Sequence, residues 1–176
     1  DMAARGHTIG THTWSHANLS KMPPEKAREE IEKGFSAVKL GLGASPASFF
    51  RFPFLQDPPA QITYLGQRNV AMFSHDVDSF DFKFRKPDDV VKSVMAKLDK
   101  KGKGIILMHD FQAVTAKALP ELLSELKAKG YKVVHMRAKG TVTTLAEFDD
   151  AARKELKNPA AIDQRPTSSV VKTVPT

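Results

Sequence analysis

The chain has 176 residues, 41% hydrophobic and 8% aromatic, which suits one globular domain of ordinary size with a real core. It contains no cysteine, so disulfides, thiolate metal sites and cysteine nucleophiles are all excluded. No apolar run approaches the roughly 18 to 20 residues that cross a bilayer. The net charge is +7 and the pI about 9.6, which can favour an anionic partner. No nucleic-acid motif accompanies that charge, and the lysines from Lys97 to Lys103 sit at a helix end, where cations complement the dipole.

Taken in chain order, strand and helix signals alternate. Residues 7–13 form a short extended run that opens into His12-Thr13-Trp14-Ser15-His16. Residues 24–40 read as a helix, with Ala27, Ile31, Phe35 and Val38 on one face, prolines at the start and glycines after the end. Residues 49–54 read as an apolar strand, 59–68 as a helix and 70–73 as a strand leading into an acidic loop. Residues 87–101 read as a strong helix buried along Val90, Val91, Val94, Met95 and Leu98. A buried strand over 104–108, a helix over 116–129 ending at Gly130, a strand over 131–136 and a last helix over 145–156 follow. This alternation predicts parallel strands joined by crossover helices. From Asn158 onward Pro, Ser and Thr dominate, and that tail is expected to be disordered. The expected organisation is a main domain over 1–140, a helical extension over 141–157 and the tail over 158–176.

Four motifs carry chemistry. In His12-Thr13-Trp14-Ser15-His16, histidines four apart on a helical turn can reach one cation; alone, they read equally well as surface histidines at a helix start. In Phe50-Arg51-Phe52-Pro53-Phe54, an arginine at a strand end can hold a carboxylate through a bidentate pair, or simply lie on the surface. Asp76-Val77-Asp78-Ser79-Phe80-Asp81-Phe82 places three carboxylates after an apolar strand, costly if buried and unpaired and otherwise a solvated loop. Ile105-Ile106-Leu107-Met108-His109-Asp110 puts a histidine at a strand's C-terminal end, where ligands bind in such sheets; a satisfied core histidine is the alternative.

In order and content, the four resemble the polysaccharide deacetylase family, also called the NodB homology domain or carbohydrate esterase family 4. The resemblance runs over about residues 5–138. It implies an α/β fold, a distorted (β/α) barrel, here missing its first strand. It implies metal-dependent hydrolysis of N-acetyl groups from N-acetylglucosamine-containing polysaccharide, either chitin oligomers or peptidoglycan. His12 and His16 would be ligands of a divalent metal, most often zinc in this family, which polarises the acetyl carbonyl and activates water. Arg51 would orient the catalytic aspartate. His109 would be the general acid, held by Asp81, and the backbone N–H of Phe54 would face the oxyanion. Leu107 and Phe82 would shape the acetyl pocket.

Two departures stand out. The family's Thr-Phe-Asp-Asp-Gly motif, which supplies the base and a further metal ligand, does not occur in this chain. The chain is therefore expected to begin after that segment and to be inactive by itself. The family also usually has Trp where Phe82 stands. His7 and His135 read as structural, while His75 borders the acidic motif without an assigned role. The resemblance further implies a secreted, periplasmic or envelope location, with no nucleic-acid partner. Two other readings compete: a non-catalytic glycan-binding relative, which would not need both His109 and Asp81, and another metallohydrolase, which would not need the arginine and histidine motifs together.

Overall fold

The computed structural model describes residues 2–157. Within it, residues 2–74 together with 135–157 form one compact unit, and residues 75–134 form a second. The expected tail over 158–176 lies outside the described residues.

In the first unit, helix α1 (Pro24–Leu42) is followed by strand β1 (Phe49–Phe50), helix α2 (Pro59–Gln67) and strand β2 (Ala71–Met72). Local chemistry sets the ends of α1. Pro24 occupies the first turn, where its missing N–H costs nothing, and Glu25 meets the positive end of the dipole. Gly43, at φ 69°, closes the helix by donating its N–H to the Lys39 carbonyl. Ala27, Ile31 and Phe35 are fully buried against Phe50, Phe52, Leu65 and Val70. Strands β1 and β2 pair in parallel, Phe49 opposite Ala71, with α2 as the crossover. Helix α5 (Ala146–Leu156) returns to α1 through ion pairs Lys33–Glu155 and Lys39–Asp149.

The same unit buries a charge that no apolar pattern announces. Glu32 on α1 is 1% exposed. Its Oε1 accepts from the Tyr64 hydroxyl at 2.6 Å and from the Arg68 guanidinium, while Arg68 also donates to the Thr143 carbonyl. Burial pushes the Glu32 carboxyl up, and the Tyr64 and Arg68 contacts only partly oppose it.

In the second unit, strand β3 (Val77–Asp78) pairs in parallel with strand β4 (Ile106–Leu107) through helix α3 (Pro87–Lys101). Helix α4 (Ala113–Ala128) packs on α3 and buries Ala118, Leu122 and Leu126 against Val90, Val94 and Leu98. Asp88 and Asp89 stand in the first turn of α3, Lys100 and Lys101 in its last, and Gly102 at φ 79° ends it.

Helices match their expected spans closely, and both strand pairs are parallel with a helical crossover. The strands differ. β1 stops at Phe50, because Pro53 cannot donate to a ladder and residues 53–55 coil into a single 3₁₀ turn. The acidic segment, read as loop, contributes β3. β4 is half-buried rather than buried, and Ile105 just before it is 40% exposed. Residues 131–136 form no strand, and Val133 and Val134 are 76% and 78% exposed. Apolar β-branched residues favour a strand only where a neighbouring strand takes their hydrogen bonds, and residues 132–135 meet none among the described residues.

Candidate active site

The sequence-predicted residues fall into one group in each unit. His12, His16, Arg51 and Phe54 gather in the first. Thr11 bridges to Phe50, and the Arg51 N–H donates to the Thr11 carbonyl at 3.2 Å, so the histidine turn starts beside the end of β1. The His12 and His16 rings lie edge to face with centroids 5.0 Å apart. The segment is not the helical turn expected. Trp14 and Ser15 form a bend, and His16 takes a left-handed φ of 58°. The bend is closed from outside by Glu30 of α1, whose Oε2 accepts from the Ser15 N–H at 2.8 Å and the Ser15 hydroxyl at 2.9 Å.

The His12 Nδ1 contacts the Arg51 carbonyl. A carbonyl only accepts, so Nδ1 carries the proton and Nε2 holds a bare lone pair. That Nε2 is buried and has no hydrogen-bond partner among the described residues. Burial pushes the His12 imidazole down to about 4, the Arg51 and His16 charges act in the same direction, and the backbone contact with Arg51 opposes them. A neutral imidazole fixed through Nδ1 with Nε2 bare is the form in which histidine binds a metal. Phe54, 52% exposed and at φ 54°, sets its ring edge-on to His16 at 4.8 Å. The Arg51 guanidinium, half-buried, makes no ion pair among the described residues. No three His, Cys, Asp or Glu side chains gather to hold a metal among those residues.

In the second unit, Asp81 and His109 form a closed polar pair. Asp81 is 0% exposed, yet its carboxylate is well satisfied. Oδ1 accepts from His109 Nδ1 at 2.7 Å and from the Phe82 N–H at 2.9 Å. Oδ2 accepts from the His109 N–H and from the Thr115 hydroxyl, both at 2.6 Å. Burial alone pushes the Asp81 carboxyl up, but these bonds from His109 and Thr115 outweigh it and hold it below the usual carboxylate range. The pair fixes the imidazole plane and leaves Nε2 as the ring's free proton site. Phe82 stands edge-on to His109 at 5.8 Å, and Leu107 lies in β4 two residues before it. Asp76 and Asp78 serve the backbone instead, accepting from the Ile105 and Phe80 N–H groups.

Thr115 is the residue the motifs missed. It heads the stripe Thr115, Ala118, Leu122, Leu126 on the buried face of α4. A hydroxyl at the top of an otherwise apolar stripe was the available signal. Thr115→Val should destabilise the chain by about 1–3 kcal/mol, because a buried carboxylate loses a donor. The folded-state carboxyl is depressed, so its contribution is present above the ordinary carboxylate pKa and fades as pH falls through the folded value. Urea unfolding should therefore show a larger deficit at pH 7 than at a pH below the folded-state value, and an equal deficit at both would mean that the hydroxyl does not act on the charge.

Known proteins give the arrangement its context. A family model described as polysaccharide deacetylase matches residues 1–71. A peptidoglycan-N-acetylglucosamine deacetylase of Listeria monocytogenes is 31% identical over 129 residues, covering 73% of this chain and 26% of the relative. A chitin deacetylase from Pestalotiopsis is 29% identical over 133 residues, covering 73% of this chain and 44% of that protein. The solved structure of a peptidoglycan deacetylase from Bdellovibrio bacteriovorus superposes with a TM-score of 0.71 at 30% identity, over 78% of this chain and 39% of its own. The chain thus spans less than half the length of each of these relatives, and its architecture is part of the distorted (β/α)-barrel fold. In sequence and in fold, the chain resembles the polysaccharide deacetylase family.

Proposed function

We propose that this chain carries part of the catalytic apparatus of a metal-dependent N-deacetylase acting on N-acetylglucosamine-containing polysaccharide. The observation that carries the reading is the Asp81–His109 pair. A buried carboxylate with four donors and a histidine clamped through Nδ1 together make a proton-delivering group aimed through Nε2. A purely glycan-binding module has no use for such a pair, which is why the enzymatic reading is preferred.

His12 and His16 would hold a divalent metal, zinc being the ion that two imidazoles suit well. When bound, it would supply Lewis-acid polarisation of the acetyl carbonyl and a more acidic water. The Arg51 guanidinium, without a carboxylate among the described residues, is free to orient the base. The Phe54 N–H would donate to the developing oxyanion. His109 would protonate the leaving amine, while Asp81 stabilises the imidazolium that exists before the transfer. Phe82 and Leu107 would contact the acetyl methyl. No third ligand joins the pair among the described residues and the sequence carries no Thr-Phe-Asp-Asp-Gly motif, so by itself the chain should be inactive. Peptidoglycan and chitin share the acetamido group that these residues would read, and either substrate lies outside the cytoplasm, which argues for action in the cell envelope. No helix among the described residues is long and apolar enough to cross a membrane.

The metal assignment is tested on residues 1–176 directly. Zinc should shift the ring signals of His12 and His16 in nitrogen-15 NMR and leave those of His7 and His135 in place. Uniform insensitivity of the pair at millimolar zinc would remove the metal from this reading.

A further inference from the structure

We propose that Glu30 and Gly34 of α1 are positioning residues for the His12–His16 pair, holding its two rings side by side as ligands. This rests on the metal role given to the pair above. Both act through residues 12–15, Glu30 by accepting from Trp14 and Ser15 and Gly34 by its lack of a β-carbon.

The turn cannot hold itself. His16 is left-handed at φ 58°, a conformation that a β-carbon makes costly and that persists only where the surroundings over-determine it. Its own peptides do not supply that constraint, because residues 12–16 form no helical ladder. Helix α1 supplies it. The Trp14 N–H donates to the Glu30 carbonyl at 3.0 Å. The next residue gives both its donors to the Glu30 side chain, Ser15 N–H at 2.8 Å and Ser15 hydroxyl at 2.9 Å. The Glu30 backbone and side chain thus seize two successive residues just before the strained His16.

Gly34, one helical turn on, sets how closely the strand can approach. A β-carbon there would overlap the His12 carbonyl and lie 3.0 Å from the Thr13 carbonyl carbon and 3.1 Å from the Trp14 nitrogen. All of these are backbone atoms, which cannot swing away as a flexible side chain can. The Lys33 ammonium lies 5.0 Å from the centre of the Trp14 ring and completes the grip. At both ends of the bend, the direction in which a ring leaves the chain is therefore set by α1.

Both Ser15 bonds land on a single oxygen of Glu30, so an amide oxygen can replace it, and this gives the test its discriminating variant. Zinc affinity of residues 1–176 is measured by competition with a chromogenic chelator, alongside nitrogen-15 NMR of the rings without metal. Glu30→Ala and Gly34→Ala should weaken zinc about 10- to 100-fold, the usual cost of losing a group that orients a ligand. Glu30→Gln should keep wild-type affinity and wild-type ring signals. His12→Ala and His16→Ala are the controls. If they leave zinc affinity unchanged, the metal role itself falls. If they weaken it while Glu30→Ala does not, the positioning role alone falls. Coincident His12 and His16 ring signals in metal-free Glu30→Ala and wild type would also overturn it, whatever the zinc affinity.

Discussion

Residues 1–176 should release no measurable acetate from N-acetylglucosamine oligomers, even with zinc added. The reasoning is a count of groups. Two imidazoles are available from His12 and His16, and no third His, Cys, Asp or Glu joins a metal-holding cluster among the described residues. A site with two neutral ligands holds a dication far more weakly than one with an added carboxylate, because the anionic ligand supplies much of the attraction. The sequence contains no Thr-Phe-Asp-Asp-Gly motif, the segment proposed to supply the base. General bases contribute about 10²- to 10⁴-fold, and the weaker metal site multiplies that loss. The check is an acetate assay of this chain beside a longer one that supplies the aspartate pair. Comparable turnover would sink the account. It would also redirect the search to Asp76 and Asp78, whose carboxylates accept from backbone N–H groups of their own unit.

In a form of the protein that does turn over, His109→Ala should lower kcat by about 10²-fold or more, in line with the loss of a general acid. Zinc affinity should be nearly unchanged, since His109 binds Asp81 and is not one of the proposed ligands. Asp81→Asn should also be severe, for a different reason. An amide cannot accept all the bonds that the carboxylate now takes from His109, Thr115 and Phe82, and it can present an N–H to the His109 ring. The histidine would keep its place in the chain and lose its orientation. Steady-state kinetics on an oligomer, with metal content measured on the same samples, separates these effects. An unchanged kcat for His109→Ala would take His109 out of the mechanism.

By itself, the sequence determined the helices and marked the residues expected to carry chemistry. Pro24, Pro87, Gly43 and Gly102 act on backbone within a turn of themselves, so they set helix ends without reference to the rest of the chain. The stripe Val90, Val91, Val94, Met95 and Leu98 carries its period in the sequence, and all five are buried. The four motifs were legible through their order and content taken together, since each alone also reads as an ordinary surface or core segment.

Only the tertiary structure decided how those residues are held. Strand lengths depend on neighbours, which is why the runs at 49–54 and 104–108 yield two-residue strands and the run at 131–136 yields none. The histidine pair was legible as a pair, but its bend was not, because Glu30, which closes it, lies 15 residues from Ser15. Thr115 reaches Asp81 across 34 residues, and Glu32 is buried by Tyr64 and Arg68, 32 and 36 residues away. Local propensity acts over about four residues of helix. The partners that make a buried carboxylate tolerable, or a left-handed histidine stable, arrive only when distant segments pack.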